Sequence, residues 1–180
     1  MKVQVFLADG FEEMEAVGVI DVLRRAGITV ETVSITGRRE VKGAHELTVL
    51  ADNLFESAPD AGVDMLVLPG GPGVQLLDAH AGLKERLVEF AGADRWIAAI
   101  CAAPMVLGKL GLLKRKAAVC YPGYENYLQG AEVNRSGRTV VDGKVITSRG
   151  PGTVFHFALT IVEMLKGRDL AQELKEKMIV

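Results

Sequence analysis

The segment Arg95-Trp-Ile-Ala-Ala-Ile-Cys101-Ala-Ala-Pro-Met-Val-Leu-Gly108 joins a buried strand to a helix. Its first part, residues 96–100, is short and continuously apolar, which is typical of a parallel strand that is covered on both faces. Pro104 predicts that a helix begins nearby, because a helix tolerates proline only in its first turn. Cys101 therefore lies where the strand ends, just before the amino end of the helix.

This position makes Cys101 a candidate nucleophile. The unpaired N–H groups and the dipole at a helix amino end favour an anion, so we expect the thiol pKa to lie below its free value of about 8.5. The alternative is a packing role, because free cysteine is among the most buried residue types. Position alone leaves both interpretations open.

Strand and helix patterns alternate on both sides of this segment. Strands are predicted at residues 2–7, 29–35, 65–68, 96–100 and 145–146, and helices at residues 13–26, 83–91, 104–110, 151–165 and 170–178. This order predicts an α/β fold with a doubly wound parallel sheet sandwiched by helices, in which ligands bind beyond the carboxyl ends of the strands. Asp142 and Gly143, between apolar flanks, predict a small β-hairpin.

Length and composition limit the classes of function. The chain has 180 residues, 49% of them hydrophobic, and we expect a single domain spanning residues 1–180. Its 21 basic and 23 acidic residues nearly cancel, so neither nucleic acid nor a membrane is an expected partner. No apolar run approaches the roughly 18 residues of a membrane span, and we expect a cytoplasmic protein. The two cysteines lack the spacing of a metal site, so no metal or cofactor is expected.

Glu15 is the second candidate for chemistry, because it falls in helical register with the apolar residues Val19 and Val22. Burial on an apolar face should raise the pKa of its carboxyl group and leave it wholly or partly protonated near neutrality. The alternative is a first-turn glutamate that complements the helix dipole. Because its helix follows the first strand, Glu15 should lie at the same edge of the sheet as Cys101.

A glycine-rich turn, Leu68-Pro-Gly-Gly-Pro-Gly73, follows another predicted strand at that edge. Its exposed N–H groups are suited to stabilising an oxyanion, although such turns often serve only to join a strand to a helix. The turn lacks the lysine of a P-loop and the fingerprint of a dinucleotide site. The later segment Ser148-Arg-Gly-Pro-Gly-Thr153 is either an anion site at a helix start or a plain helix entry.

None of the three histidines stands in a sequence relation to Cys101 that would make it a catalytic base, as a cysteine protease or amidase normally requires. His45 lies in a loop that could reach a pocket. His80 and His156 are interpreted as structural or solvent-facing. Cys120 is interpreted as a packing residue of a strand.

Four motifs then occur in order along the chain. They are Glu12-Glu-Met-Glu15, Leu68-Pro-Gly-Gly71, Ala98-Ala-Ile-Cys-Ala-Ala-Pro104 and Thr147-Ser-Arg-Gly-Pro-Gly-Thr153. Together they resemble the ThiJ/PfpI superfamily, in particular its parkinsonism-associated deglycase branch and the bacterial relatives of that branch. The resemblance runs from the first strand to about Leu170. It implies a flavodoxin-like, class I glutamine amidotransferase-like sandwich that works as a homodimer.

The resemblance also implies roles for individual residues. By similarity, Cys101 is the nucleophile on a strained elbow, and Glu15 is the carboxylic acid hydrogen-bonded to its sulfur. The N–H groups of Gly70, Gly71 and Ala102 correspond to the oxyanion region.

Four further residues belong to the substrate pocket that the resemblance implies: Tyr121, His45, Arg25 and Arg149. Tyr121 stands where animal members of the branch have a histidine, and His45 stands where they have an arginine, so we expect a different substrate preference. Arg25 matches an arginine that family dimers place near the partner's site.

These inferences predict a cysteine-dependent, glutathione-independent glyoxalase or deglycase. Its substrates would be small carbonyl compounds, either 2-oxoaldehydes such as methylglyoxal or early glycation adducts, which react through a Cys101 hemithioacetal. The alternative is a redox-responsive or chaperone-like stress protein in which oxidation of Cys101 to a sulfinate is the function. Amidase or peptidase action is less favoured, because Ala102 stands where the protease branch has a histidine.

Overall fold

The computed structural model describes residues 1–180 and contains eleven strands and six α-helices. The strands are β1 (Lys2–Leu7), β2 (Thr29–Ser34), β3 (Glu40–Lys42), β4 (Thr48–Leu50), β5 (Asn53–Leu54), β6 (Met65–Leu68), β7 (Trp96–Ile100), β8 (Ala117–Ala118), β9 (Glu132–Val133), β10 (Thr139–Asp142) and β11 (Val145–Ser148). The helices are α1 (Glu13–Arg25), α2 (Val74–Ala79), α3 (Ala81–Gly92), α4 (Pro104–Lys109), α5 (Val154–Lys166) and α6 (Arg168–Lys177).

Seven strands form the central sheet, in the order β10-β11-β7-β6-β1-β2-β5. All neighbouring pairs are parallel except β10 and β11, which form the predicted hairpin around Gly143. The chain passes from β1 to β2 on one side and then returns to β6 on the other side of β1. The connections after β1 and β6 therefore diverge, which creates the crevice where doubly wound sheets bind ligands. The predicted α/β fold is confirmed.

The helices cover the sheet because their apolar sides have no other place to be buried. Helix α1 packs against α5, and α5 packs against α6, whereas α2 packs against α3 and α4. Strands β6 and β7 are buried along almost their whole length, as the continuous apolar runs predicted. None of the six helices combines the length and apolar composition needed to cross a bilayer.

Several short elements differ from the predicted ones. Strand β11, predicted at residues 145–146, extends to Ser148. The helix predicted at residues 151–165 begins with a 3₁₀ turn, Pro151–Thr153, which precedes α5. Helix α2, the hairpin β3–β4 and the pair β8–β9 were not predicted, because two- and three-residue strands and a six-residue helix carry too little periodicity.

Candidate active site

Cys101 sits on a sharp turn between β7 and α4. Its φ angle is +65°, in the left-handed region that residues with side chains rarely adopt. Two backbone hydrogen bonds hold this conformation: the Cys101 N–H donates to the Ser148 carbonyl at 2.9 Å, and the Cys101 carbonyl accepts the Tyr121 N–H at 2.8 Å. The residue is only 8% exposed. The turn therefore fixes one nearly buried thiol at the carboxyl edge of the sheet.

Ser148 is a supporting residue that sequence reasoning missed. Its hydroxyl donates to the Arg138 carbonyl at 2.8 Å, and it also lies 2.9 Å from Thr139 Oγ1 and 2.8 Å from Thr153 Oγ1. This network holds the end of β11 in place, and with it the carbonyl that accepts the Cys101 N–H. A serine at a strand end has no distinctive sequence signal, so only the structure reveals this role.

Glu15 lies in the first turn of α1 and is fully buried. Its Oε2 accepts the Gly70 N–H at 2.8 Å, whereas its Oε1 has no hydrogen-bond donor. Burial raises the pKa of the carboxyl group to about 7, and the Gly70 N–H and the Cys101 thiol only partly oppose this effect. The predicted increase is confirmed. Because Oε1 lacks a donor, it is the oxygen best placed to carry the proton.

The predicted decrease of the Cys101 pKa is wrong. Burial, and next the charge of Glu15, raise the pKa of the thiol to about 12, while the N–H groups of Ala102 and Gly71 act in the opposite direction. The helix that follows the cysteine does not decide this pKa, because α4 has only six residues and a carboxylate from α1 lies beside the sulfur.

The two acids are therefore coupled. Two like charges in one buried site repel each other, so Cys101 and Glu15 are not both ionised near neutrality. Protonation of Glu15 removes the repulsion and leaves the two N–H groups facing the sulfur, so the Cys101 thiol loses its proton more easily in that state, although burial still raises its pKa. The pair is thus a nucleophile next to a group that can accept and return a proton at neutral pH.

The glycines after β6 let the backbone approach this pair. A Cβ atom on Gly70 would lie 2.7 Å from both Cys101 Cβ and Glu15 Oε2, and one on Gly71 would lie 2.5 Å from the Gly10 carbonyl oxygen. Gly71 also has a φ angle of +91°, which favours glycine. The Gly70 N–H is already donated to Glu15, so of the three predicted oxyanion donors only Gly71 and Ala102 direct their N–H groups to the sulfur.

Tyr121 and Arg149 lie next to Cys101 along the backbone contacts: the Tyr121 N–H donates to the Cys101 carbonyl, and Arg149 follows Ser148, whose carbonyl accepts the Cys101 N–H. The Tyr121 side chain is half exposed and packs on Gly150, where an added Cβ atom would lie 3.1 Å from the ring. Arg149 is half buried, and its guanidinium forms neither an ion pair nor a hydrogen bond. Cys120 is buried, as its expected packing role requires, but it lies beyond the end of β8 and is not part of a strand. Burial raises the pKa of its thiol to about 11.

His45 and Arg25 are not next to the sulfur within one chain. His45 Nδ1 lies 2.9 Å from Glu13 Oε2, and this hydrogen bond raises the pKa of the exposed imidazole. Burial would raise the pKa of Glu13, but its hydrogen bonds with His45 outweigh burial and lower it. Arg25 is paired with Asp21 at 2.6 Å. It lies about 15 Å along α1 from Glu15, at 1.5 Å per residue.

One group of side chains could offer ligands to a metal ion. Carboxylate oxygens of Glu12 and Glu13 and a ring nitrogen of His45 lie within 4.8 Å of one another. Glu12 also accepts the Glu15 N–H at 2.7 Å as the cap of α1, and Glu13 is engaged by His45. These two hydrogen bonds explain why the three side chains lie close together: they stabilise the start of α1.

Comparison with known proteins gives concordant matches. The model of the DJ-1/PfpI family matches residues 1–164. The Parkinson disease protein 7 homolog of Danio rerio is 40% identical over 98% of this chain and 95% of that protein. The glutathione-independent glyoxalase DJR-1.2 of Caenorhabditis elegans is 32% identical over 91% of this chain and 87% of that protein. The chain spans 41% of the longer Protein DJ-1 homolog B of Arabidopsis thaliana, to which it is 39% identical.

Solved structures show the same fold. The oxidized DJ-1 of Toxoplasma gondii superposes with a TM-score of 0.94 at 34% identity, covering 99% of this chain and 97% of that one. The superposed part of the chain includes the central sheet, helix α1 with Glu15 and the turn with Cys101.

Proposed function

This chain belongs to the DJ-1/PfpI family, and from that membership and the geometry of the site we propose that it is a cysteine-dependent, glutathione-independent glyoxalase. The proposed substrates are 2-oxoaldehydes such as methylglyoxal, with early glycation adducts as a related class. One observation carries the proposal: the buried carboxyl group of Glu15, with a pKa of about 7, lies beside the fixed thiol of Cys101. The name of the nematode relative supports the same activity.

In the first step, the Cys101 sulfur attacks the aldehyde carbon of methylglyoxal. A carbon–sulfur bond forms, the thiol proton passes to Glu15, and Glu15 returns it to the carbonyl oxygen to give a hemithioacetal. The N–H groups of Gly71 and Ala102, which face the sulfur, stabilise the negative charge that develops there during proton transfer.

In the second step, the carboxylate of Glu15 removes the C–H proton of the hemithioacetal to give an enediolate. The hydroxyl proton on the sulfur-bearing carbon passes to the neighbouring oxygen, and Glu15 returns its own proton to the neighbouring carbon, which yields the lactate thioester of Cys101. Water cleaves the carbon–sulfur bond, releases lactate and restores the thiol, so the sum is methylglyoxal plus water giving lactate. A base with a pKa of about 7 suits this role, because it is present in both protonation states near neutrality.

The test is the formation of lactate from methylglyoxal, followed by proton NMR in a buffer without amines or added thiols. We expect Cys101→Ser to abolish turnover and Glu15→Gln to reduce it at least about 100-fold, as for loss of a positioned acid–base group. Glu13→Gln is the matched control, since Glu13 occupies the same helical turn but binds His45. Full turnover in Glu15→Gln would refute the proton-transfer role.

A redox function is the second candidate, and a specific observation favours it. The acid and the two N–H groups that support a thiolate would equally hold the oxygens of a sulfinate at Cys101. The solved Toxoplasma relative is described as oxidized. Intact mass after mild peroxide treatment tests this function: we expect a gain of two oxygens that Cys101→Ser abolishes. Uptake distributed over the methionines instead would count against it.

The site does not favour peptidase chemistry. His80 accepts the Leu83 N–H as the cap of α3, and His156 Nδ1 lies 3.1 Å from Thr139 Oγ1. His45 is bound to Glu13. No histidine is therefore placed to serve as the base that a cysteine peptidase uses.

We also propose that the protein is a homodimer. An apolar groove of about 330 Å³ runs along α1 and the start of α5. It is lined by Met14, Val17, Leu47 and Phe155, all of which are more than 40% exposed in the isolated chain. Light scattering after gel filtration tests the proposal: the parent chain should have twice the monomer mass of 19.3 kDa, and Val17→Glu should be monomeric. A monomeric parent chain would refute it.

A further inference from the structure

A second concave region lies apart from Cys101, between α5 and α6. Its volume is about 430 Å³, within the range of small-molecule sites. Four basic side chains line it, and Glu163 is the single acidic side chain among its lining residues. The basic residues come from three different parts of the fold: Arg138, His156, Arg168 and Lys175. We call this region the basic groove.

The cations of the basic groove lack partners. The side chains of Arg138, Arg168 and Lys175 form no ion pair or hydrogen bond, although twelve ion pairs occur elsewhere in the chain. Three unpaired cations around one cavity create a local positive potential that attracts an anion.

The basic groove also offers an apolar wall. Leu159 and Ala171 are buried lining residues, and Phe155, also in the lining, is nearly half exposed. A cavity that is lined by several cations and by an aromatic ring fits a ligand with an anionic part and an apolar part. Such a ligand carries an anionic group, ideally phosphate, and a flat apolar or heterocyclic body.

We propose that the basic groove binds a phosphorylated small molecule with an aromatic or heterocyclic body. Arg138, Arg168 and Lys175 hold the phosphate, because guanidinium and ammonium groups donate charge-assisted hydrogen bonds to its oxygens. Leu159 contacts the body of the ligand together with Phe155, which lines both the basic groove and the apolar groove proposed as the dimer interface. Neither Cys101 nor Glu15 lines the basic groove. Two residues of the groove contact the network that holds the elbow: the Arg138 carbonyl accepts the Ser148 hydroxyl, and His156 Nδ1 lies 3.1 Å from Thr139 Oγ1.

Isothermal titration calorimetry tests the proposal on the full chain, with adenosine monophosphate as the probe and adenosine and inorganic phosphate as its two halves. We expect the monophosphate to bind more tightly than either half. Arg138→Ala and Arg168→Ala should each weaken binding at least about tenfold, as expected for loss of a charge-assisted hydrogen bond. Both side chains are exposed, so the variants should fold, which circular dichroism checks.

Two controls separate binding in the basic groove from nonspecific attraction of anions and from binding near Cys101. Lys166→Ala removes an exposed cation of α5 outside the basic groove and should leave affinity unchanged. Cys101→Ser should also bind normally, which distinguishes failure of this proposal from failure of the proposed glyoxalase function. Three results would overturn the proposal: no binding at millimolar probe, equal weakening in Lys166→Ala and Arg138→Ala, or loss of binding in Cys101→Ser.

Discussion

Replacing Glu15 by glutamine should make the protein more stable at neutral pH. The pKa of Glu15 is about 7 in the folded protein and 4.5 for an ordinary glutamate. At 1.36 kcal/mol for each unit of pKa, this difference corresponds to about 3 kcal/mol. Glutamine has nearly the same shape and keeps an oxygen that can accept the Gly70 N–H, but it has no charge to bury.

The pH dependence follows from proton binding. Between pH 4.5 and 7 the folded protein binds more protons at Glu15 than the unfolded chain does, because the pKa is raised on folding. Its unfolding free energy should therefore fall across this range and level off above it. The stability of Glu15→Gln should equal that of the parent chain near pH 4.5 and exceed it by about 3 kcal/mol at pH 8.

Urea denaturation at several pH values measures this difference, with Glu13→Gln as the matched control. The pKa of Glu13 is lowered on folding, because its hydrogen bonds with His45 outweigh burial. The control should therefore lose stability relative to the parent chain as the pH rises, the opposite trend to Glu15→Gln. A difference between Glu15→Gln and the parent chain that stays constant from pH 4.5 to 8 would refute the reasoning.

Three other perturbations have definite expected results. Gly70→Ala should cost about 1–3 kcal/mol and disrupt the site, because its Cβ atom would lie 2.7 Å from Cys101 Cβ; thermal unfolding and iodoacetamide labelling measure the two effects. Cys101→Gly should raise the unfolding free energy by about 1 kcal/mol while abolishing turnover, since glycine adopts a φ of +65° without strain. Arg86→Met should destabilise the fold by about 1 kcal/mol in urea, because it removes the 2.8 Å ion pair with the partly exposed Asp60 and the contact of the guanidinium with the Phe55 ring. Equal stability of Arg86→Met and the parent chain would show that the pair contributes nothing net.

The sequence was most informative where a pattern is local. The apolar run before Cys101 and the proline after it were enough to place the strand-to-helix turn. The register of Glu15 offered burial with a raised pKa as one of two interpretations, and the structure confirms that one. Both inferences depend on residues within one or two helical turns. The edge of the sheet that they share followed from the alternation of strands and helices.

Properties that depend on distant residues were not predictable. The sign of the Cys101 pKa change is set by burial and by Glu15, which is far away in sequence. The support from Ser148 requires knowing that β11 pairs with β7 in the observed register. The basic groove joins residues next to β10 and in α5 and α6, and no single segment is notably basic there.

Much of the chemistry at the Cys101 elbow is carried by groups that nearly every amino acid possesses. The N–H groups of Gly71 and Ala102 reach the sulfur, and that of Gly70 reaches Glu15, through the main chain alone. Alanine substitutions would therefore reveal the contributions of Cys101 and Glu15 but not those of the N–H groups, which alanine retains. At the glycines, a loss of activity would reflect only the steric clash of the added Cβ atom. Replacing a single amide by an ester during chemical synthesis, which deletes one N–H and keeps every side chain, would be the direct way to measure what each donor contributes.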